Sequence, residues 1–193
     1  MGELKLPLSA YPLAQYWEMN EASDVRYEYH KGEIWSMAGT SLRHNRIISN
    51  LNFSLRNELK KKGSDCEVFT ENVLLEVNPN TTYYYPDVML ICDEKDKQEK
   101  TTVKNPVLVV EVLSDSSFFM DLSIKLEHYL AMPNLIYYLV IDQSACRVRC
   151  FERVGENWVV TIFSSLTQCI SLSQLDYLLL NVTEIYENIQ FDT

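Results

Sequence analysis

The chain has 193 residues, 47% hydrophobic and 23% charged, with a formal net charge of -10. These are globular proportions, long enough to bury a sizeable core in one domain spanning residues 1–193, and they exclude a disordered or fibrous chain. So acidic a balance also argues against a protein that coats nucleic acid nonspecifically.

No internal repeat, low-complexity segment or Pro/Gly/Ser-rich linker divides the chain. Pro12 followed by Leu13, Tyr16 and Trp17 predicts a short helix with proline in its first turn. The segments 26–29 and 33–37, on either side of His30-Lys31-Gly32, predict a hairpin turning at the glycine. Over residues 41–62, Ile47, Ile48, Leu51, Leu55 and Leu59 recur at helical spacing, and Gly63 follows as a stop. Residues 66–77 read as one strand ended by Asn78-Pro79-Asn80, and residues 87–91 as a second. The charged stretch 93–104 predicts a solvated loop. Pro106 opens a third strand, 107–113, apolar enough to be buried on both faces. Ser114-Asp115-Ser116-Ser117 predicts a polar turn, and Leu122, Leu126, Tyr129 and Leu130 predict a helix over 118–132, stopped by Pro133-Asn134. With a buried strand at 136–141, residues 107–141 form a right-handed parallel β-α-β unit. Residues 146–153 and 158–163 flank Gly155-Glu156-Asn157 as a closing hairpin, and Ser173 caps a short final helix. The expected class is α/β with α+β character, a central mixed sheet flanked by helices with N-terminal and C-terminal hairpins.

No apolar run is long enough to cross a bilayer, so no membrane partner is expected. Met1-Gly2-Glu3-Leu4-Lys5 lacks the basic patch and apolar stretch of a secretory signal, which points to the cytoplasm. Five cysteines, Cys66, Cys92, Cys146, Cys150 and Cys169, lack zinc-ribbon spacing and are expected as reduced core thiols. A metal role for Cys146 and Cys150 on one strand face is a minority reading.

Glu111 is out of place in Val-Leu-Val-Val-Glu-Val-Leu, where an unpaired carboxylate costs on the order of several kcal/mol to bury. Asp87 is its natural neighbour: if the two strands run antiparallel, the acids converge at one edge of the sheet. Two such carboxylates repel unless a proton or a cation joins them, and an all-oxygen site suits Mg²⁺ or Mn²⁺. The bland alternative is a strand-end glutamate reaching solvent or an arginine. Asp121, Lys125 and Tyr129 recur every fourth residue on a helix that starts near Glu111, so Lys125 can be aimed at the acids. Taken alone, that spacing favours an ordinary surface pair worth about a few tenths of a kcal/mol. Lys60-Lys61-Lys62 reads as the solvated end of a helix. Tyr83, Tyr84 and Tyr85 favour strand packing or dimer contact over base stacking. No phosphate-cradling GxxxxGK loop, GxSxG elbow or HExxH is present.

Tyr85-Pro86-Asp87-Val88, then Leu108-Val109-Val110-Glu111-Val112-Leu113-Ser114, then Asp121-x-x-x-Lys125-x-x-x-Tyr129 resemble the PD-(D/E)XK nuclease superfamily. Within it, the match is to the Uma-type family of restriction-endonuclease-like proteins. Tyr27-Glu28 to Gly32-Glu33 and His44 are similar to that family's opening, so the resemblance covers most of the chain. It implies a restriction-endonuclease-like core that hydrolyses DNA phosphodiesters, with Mg²⁺ or Mn²⁺ held by Asp87, Glu111 and the carbonyl of Val112. The superfamily's usual lysine stands two residues after the glutamate, where this chain has Leu113. The resemblance implies that Lys125 takes its place from the helix, to orient water or stabilise transition-state charge. His44 is expected to contact phosphate or a metal-bound water, with a backbone-bonded histidine weighing equally, and Glu28 to add an acid. The net charge is compatible with this chemistry, since a bound cation reverses the sign where phosphate sits. DNA is the expected substrate and a homodimer the expected assembly. Two other classes stand beside it: a nuclease fold used as a non-catalytic binding or assembly module, and a metal-dependent hydrolase of another phosphate ester.

Overall fold

The computed structural model describes residues 10–37, 40–114 and 120–191. The N-terminal pentapeptide, and residues 115–117 of the expected polar turn, lie outside them.

Helix α1, Leu13–Ala22, starts after Pro12. It packs on a hairpin of β1, Tyr27–His30, and β2, Glu33–Ser36. The turn places Lys31 at φ 47° and Gly32 at φ 91°, the left-handed pair that matches strand twist in a two-residue loop. Gly32 also lies close to the preceding chain: its carbonyl accepts from Tyr11 N–H at 2.8 Å. A Cβ added there would meet the Ala10 Cβ at 2.9 Å. Helix α2, Leu42–Lys62, begins where Ser41 Oγ accepts from His44 N–H at 3.0 Å. It ends at Gly63, whose φ of 64° lets the last carbonyls be capped. Its buried stripe is Ile47, Ile48, Leu51, Leu55 and Leu59, as the spacing predicts.

Residues 66–77 are not one strand. They divide at Glu71, φ 48°, into β3, Glu67–Thr70, and β4, Leu74–Asn78, which belong to different sheets. Strand β5, Thr82–Tyr84, leads into β6, Val88–Ile91. The stretch 93–104 is more ordered than its charge suggests, with a 3-10 turn at Asp96–Gln98 and β7 at Thr102–Val103. Buried Asp96 organises it, accepting from the backbone N–H groups of Lys104 at 2.8 Å and Asn105 at 2.5 Å. Strand β8, Pro106–Leu113, is followed by a π-helical turn, Met120–Ile124, then α3, Lys125–Leu130, and β9, Tyr137–Asp142. Strands β8 and β9 are parallel, as the β-α-β unit requires. The closing hairpin is β10, Val148–Val154, with β11, Asn157–Phe163. Ser173 caps no helix. It lies in the turn between β12, Cys169–Leu172, and β13, Leu178–Asn181, and donates to Glu152 Oε1 at 3.3 Å. Ile170, Leu172, Leu178 and Leu180 are buried at alternate positions, a period of two that specifies strands. Helix α4, Val182–Ile185, follows.

The expected central mixed sheet is the six-stranded one, in order β11-β10-β9-β8-β6-β3, and a five-stranded sheet, β2-β1-β5-β4-β7, accompanies it. On one face of the central sheet lie α2 and the β12–β13–α4 segment. On the other lie α3 and side chains of β4, β5 and β7. Asp87 to Glu111 is therefore no junction at a sheet margin: β6 and β8 are interior strands, and the acids meet at their ends. Cys66 and Cys92, expected as free thiols, are joined in a disulfide. Glu67 pairs with Ile91, so these cysteines occupy the next opposed positions, an adjacency that a separation of 26 residues hides. Among the described residues no helix is long and apolar enough to cross a membrane. Gly32→Ala is expected to lower stability by about 1–3 kcal/mol, because it adds backbone strain to a steric clash. The check is the denaturant midpoint at unchanged slope.

Candidate active site and metal centre

The site grows from a defect in pairing. Val88 faces Val110, so Asp87 stands opposite Glu111 and Pro86 opposite Val112. Proline has no N–H, so it cannot answer the Val112 carbonyl, and the ladder stops. Asp87 fills the gap: its Oδ2 accepts from Val112 N–H at 2.6 Å and lies 3.2 Å from His44 Nε2. The His44 ring, delivered by the first turn of α2, also interacts with the Val112 backbone. Burial is the largest single influence and would lower the His44 pKa, but the bond to Asp87, the charges of Asp87 and Glu71 and the Val112 backbone together outweigh it and the value is raised.

Glu111 sits on the same face, 3% exposed. Its Oε1 accepts from Tyr129 OH at 2.7 Å and from Lys125 Nζ at 3.2 Å. Lys125, 6% exposed, also meets Glu28 Oε1 at 3.0 Å and Asp121 Oδ1 at 3.6 Å, with its ammonium over the Tyr84 ring. It is thus no surface pair. Glu28 comes from β1 of the other sheet, and the same Oε1 accepts from Tyr85 N–H at 2.9 Å, pinning the segment that carries Pro86 and Asp87.

Four buried carboxylates, Glu28, Asp87, Glu111 and Asp121, outnumber the one lysine among them. Burial raises the Glu111 pKa well above its ordinary value; Lys125 opposes this, but Asp121, Asp87 and Glu28 reinforce it. For Lys125 burial works the other way, yet Glu111, Glu28 and Asp121 overcome it and hold the ammonium charged. An excess of buried acid over base takes up protons or a cation.

The donor chemistry fits a hard divalent ion. Asp87 Oδ1 and Glu111 Oε2 make no hydrogen bond among the described residues, and the Val112 carbonyl has no ladder partner from Pro86. Among the described residues no three His, Cys, Asp or Glu side chains form a cage by themselves.

The structure therefore brings Asp87, Glu111, Val112, Lys125, His44 and Glu28 into one cluster. For His44 the sequence weighed phosphate or a metal-bound water against a backbone bond; the ring touches the Asp87 carboxylate and the Val112 backbone. Tyr83, Tyr84 and Tyr85 are buried and offer no platform for bases. Sequence reasoning assigned no role to Tyr129, whose fourth-residue spacing from Lys125 was the available signal. It missed Glu71 altogether; that residue's N–H donates to the Asp87 carbonyl at 3.2 Å, and its charge reaches His44.

A mixed sheet flanked by helices, with paired acids at the ends of two antiparallel strands, is a restriction-endonuclease-like arrangement. The chain belongs to the Uma2 family, described as putative restriction endonuclease, whose model matches residues 13–182. It is 35% identical over 151 residues to the uncharacterised protein sll1609 of Synechocystis, covering 77% of this chain and 84% of that one. It is 29% identical over 147 residues to a second Synechocystis protein, slr1290, covering 76% of each. The fold is similar to the crystal structure of a putative nuclease belonging to DUF820 from Anabaena variabilis, with a TM-score of 0.73 and 15% identity over 93% of this chain and 99% of that one.

Lys125→Met is expected to destabilise the metal-free protein by about 3 kcal/mol, since removing one partner strands buried acids. Adding Glu111→Gln should recover part of the loss in the same urea titration. A single variant as stable as the parent would show that Lys125 does not neutralise the cluster.

Proposed function

We propose that this protein is a Mg²⁺- or Mn²⁺-dependent endonuclease that hydrolyses DNA phosphodiester bonds. The observation that carries this reading is the opposed pair Asp87 and Glu111, each with an oxygen to spare, beside the Val112 carbonyl, which has no ladder partner from Pro86. The ion, when bound, supplies Lewis-acid activation of the scissile phosphate and of water. The chain's own residues do the rest. Val112 N–H and His44 hold one Asp87 oxygen and so orient the other. Tyr129 fixes Glu111 in the same way. Lys125 stays charged, and once a cation takes over Glu111 it provides a preorganised positive charge for the anionic transition state. Glu28 positions Lys125 and the Pro86–Asp87 segment from the other sheet.

Purified protein with Mg²⁺ or Mn²⁺ should nick supercoiled plasmid, and Asp87→Ala and Glu111→Ala should reduce cleavage to background. Equal cutting by parent and Asp87→Ala would falsify this assignment. Titration calorimetry with Mn²⁺ separates the next reading: no binding favours a non-catalytic binding module, a use to which the lysine-filled acid cluster also lends itself. Turnover of RNA or of a small phosphate ester, with DNA left intact, points to a different hydrolase.

The proposed compartment is the cytoplasm, against which the Cys66–Cys92 disulfide weighs, since reducing compartments disfavour such bonds. The proposed assembly is a homodimer, because cutting both strands of a duplex symmetrically needs two sites. Strand β11 offers the surface: it is an edge strand without a charged side chain, with Val159, Val160 and Ile162 about half exposed. An unguarded edge of this kind pairs readily with a second strand. Sedimentation equilibrium should show a dimer that Val160→Lys converts to monomer. A parent protein that stays monomeric at all concentrations removes this part of the proposal.

A further inference from the structure

One row of the central sheet crosses four of its strands at the level of the acids. Asp87, immediately before β6, stands opposite Glu111 on β8, Glu111 is in register with Val140 on β9, and Val140 with Arg149 on β10. Residues in register share a face, so Arg149 projects from the side of the sheet that carries both acids, two strands from Glu111. Two strand spacings make about 10 Å between backbones, a gap that the long arginine side chain can reduce.

Arg149 is an unusual arginine for its strand. Four residues on, along the same face, Arg153, also half-buried, commits its Nε and Nη2 to carbonyls of the protein. Its Nε donates to the Leu135 carbonyl at 2.8 Å, its Nη2 to those of Leu130 at 3.1 Å and Met132 at 2.5 Å, and it stacks on Trp158 at 4.4 Å. Arg149, half-buried, has an enclosed Nη1 that makes no hydrogen bond among the described residues. A guanidinium without a hydrogen bond inside the protein has donors left for an incoming acceptor, the enclosed Nη1 once the side chain swings outward, and its fork matches the oxygens of a phosphate. The setting calls for such a cation. The net charge of -10 and the excess of acids around Glu111 repel a polyanion, while Lys125 is committed to Glu28, Glu111 and Asp121.

We propose that Arg149 is a phosphate-backbone contact for nucleic acid bound at the Asp87–Glu111 site, gripping a phosphate within roughly three nucleotides of the one that is cut, given a rise of about 3.4 Å per nucleotide on each strand. This rests on the nuclease reading and adds to it a second anchor along the strand. The contact reads charge and not sequence, so it orients the polymer without selecting bases.

Binding measured without turnover tests it. Fluorescein-labelled DNA duplex and RNA strands are titrated by anisotropy with Ca²⁺ in place of Mg²⁺, over a series of salt concentrations. Arg149→Gln should raise Kd about five- to tenfold and flatten the slope of log K against log salt by about 0.9, the signature of one lost phosphate contact. Arg149→Lys should keep the slope, and thermal melting should leave both variants folded like the parent. A structural role for Arg149 would change the melt and not the slope. Parent and Arg149→Gln binding with the same Kd and slope would overturn the proposal while leaving the nuclease reading intact. A parent that binds neither DNA nor RNA would overturn both.

Discussion

Pro86 cannot donate a hydrogen bond to the strand beside it, and the chemistry of this protein follows from where that failure falls. The direction of the β6–β8 ladder sets Pro86 against Val112, so pairing stops there while β8 runs on to Leu113. The Asp87 side chain bends into the vacancy and satisfies the Val112 N–H, while the carbonyl remains for other partners. A carboxylate, a second carboxylate opposite it and a carbonyl are thus collected at one point, where β6 begins beside β8. Strand ends in the middle of a sheet are rigid, and rigidity is what a site needs if its oxygens are to keep their spacing when nothing is bound.

Around that point the protein buries more acid than base. A lysine among three carboxylates is a poor way to gain stability, since apolar packing of similar volume often does as well or better. The cluster also ties together parts of the fold that are otherwise independent. Glu28 arrives from the five-stranded sheet, Glu111 from the six-stranded one, and Asp121 from a π-helical turn that precedes α3. Turns of that kind are rare and concentrate at functional sites. Losing the lysine therefore loosens a junction between sheets as well as a charge, and the stability of the fold and the readiness of the site are properties of one set of contacts.

Most of this was legible in the sequence, and the reasons for the exceptions differ. Long periodic segments such as α2 and the apolar run of β8 declare themselves, because one physical signal dominates each. Glu111 was conspicuous for its surroundings, and Asp87 followed from the antiparallel geometry. The division of residues 66–77 was hidden because Glu71 in a left-handed conformation leaves no mark that a glycine would have left. Asp96 looked like one charge among many, yet it organises backbone N–H groups that only the folded chain brings near. The Cys66–Cys92 bond depends on strand register, which composition and spacing cannot supply. Partnerships between distant segments, Glu28 with Lys125 or His44 with Asp87, became visible only as tertiary contacts.

The placement of the lysine can be understood in the same terms. Two residues after Glu111, on the same face, the strand carries Leu113, which is 3% exposed and belongs to the same apolar cluster as Tyr129 and Tyr138. A lysine there would have to run its stem through that apolar layer, and its charge would compete with the packing that seats α3 on the sheet. Delivering the ammonium from α3 avoids the conflict. Lys125 lies one turn after Asp121 and reaches Glu111 at 3.2 Å from above, leaving the strand to its core role. The charge still reaches Glu111, but it is mounted on the element whose packing depends on Leu113. Position 113 and position 125 are therefore coupled: an apolar strand and a basic helix are one solution, and either half alone would leave a buried charge misplaced or a buried acid unanswered.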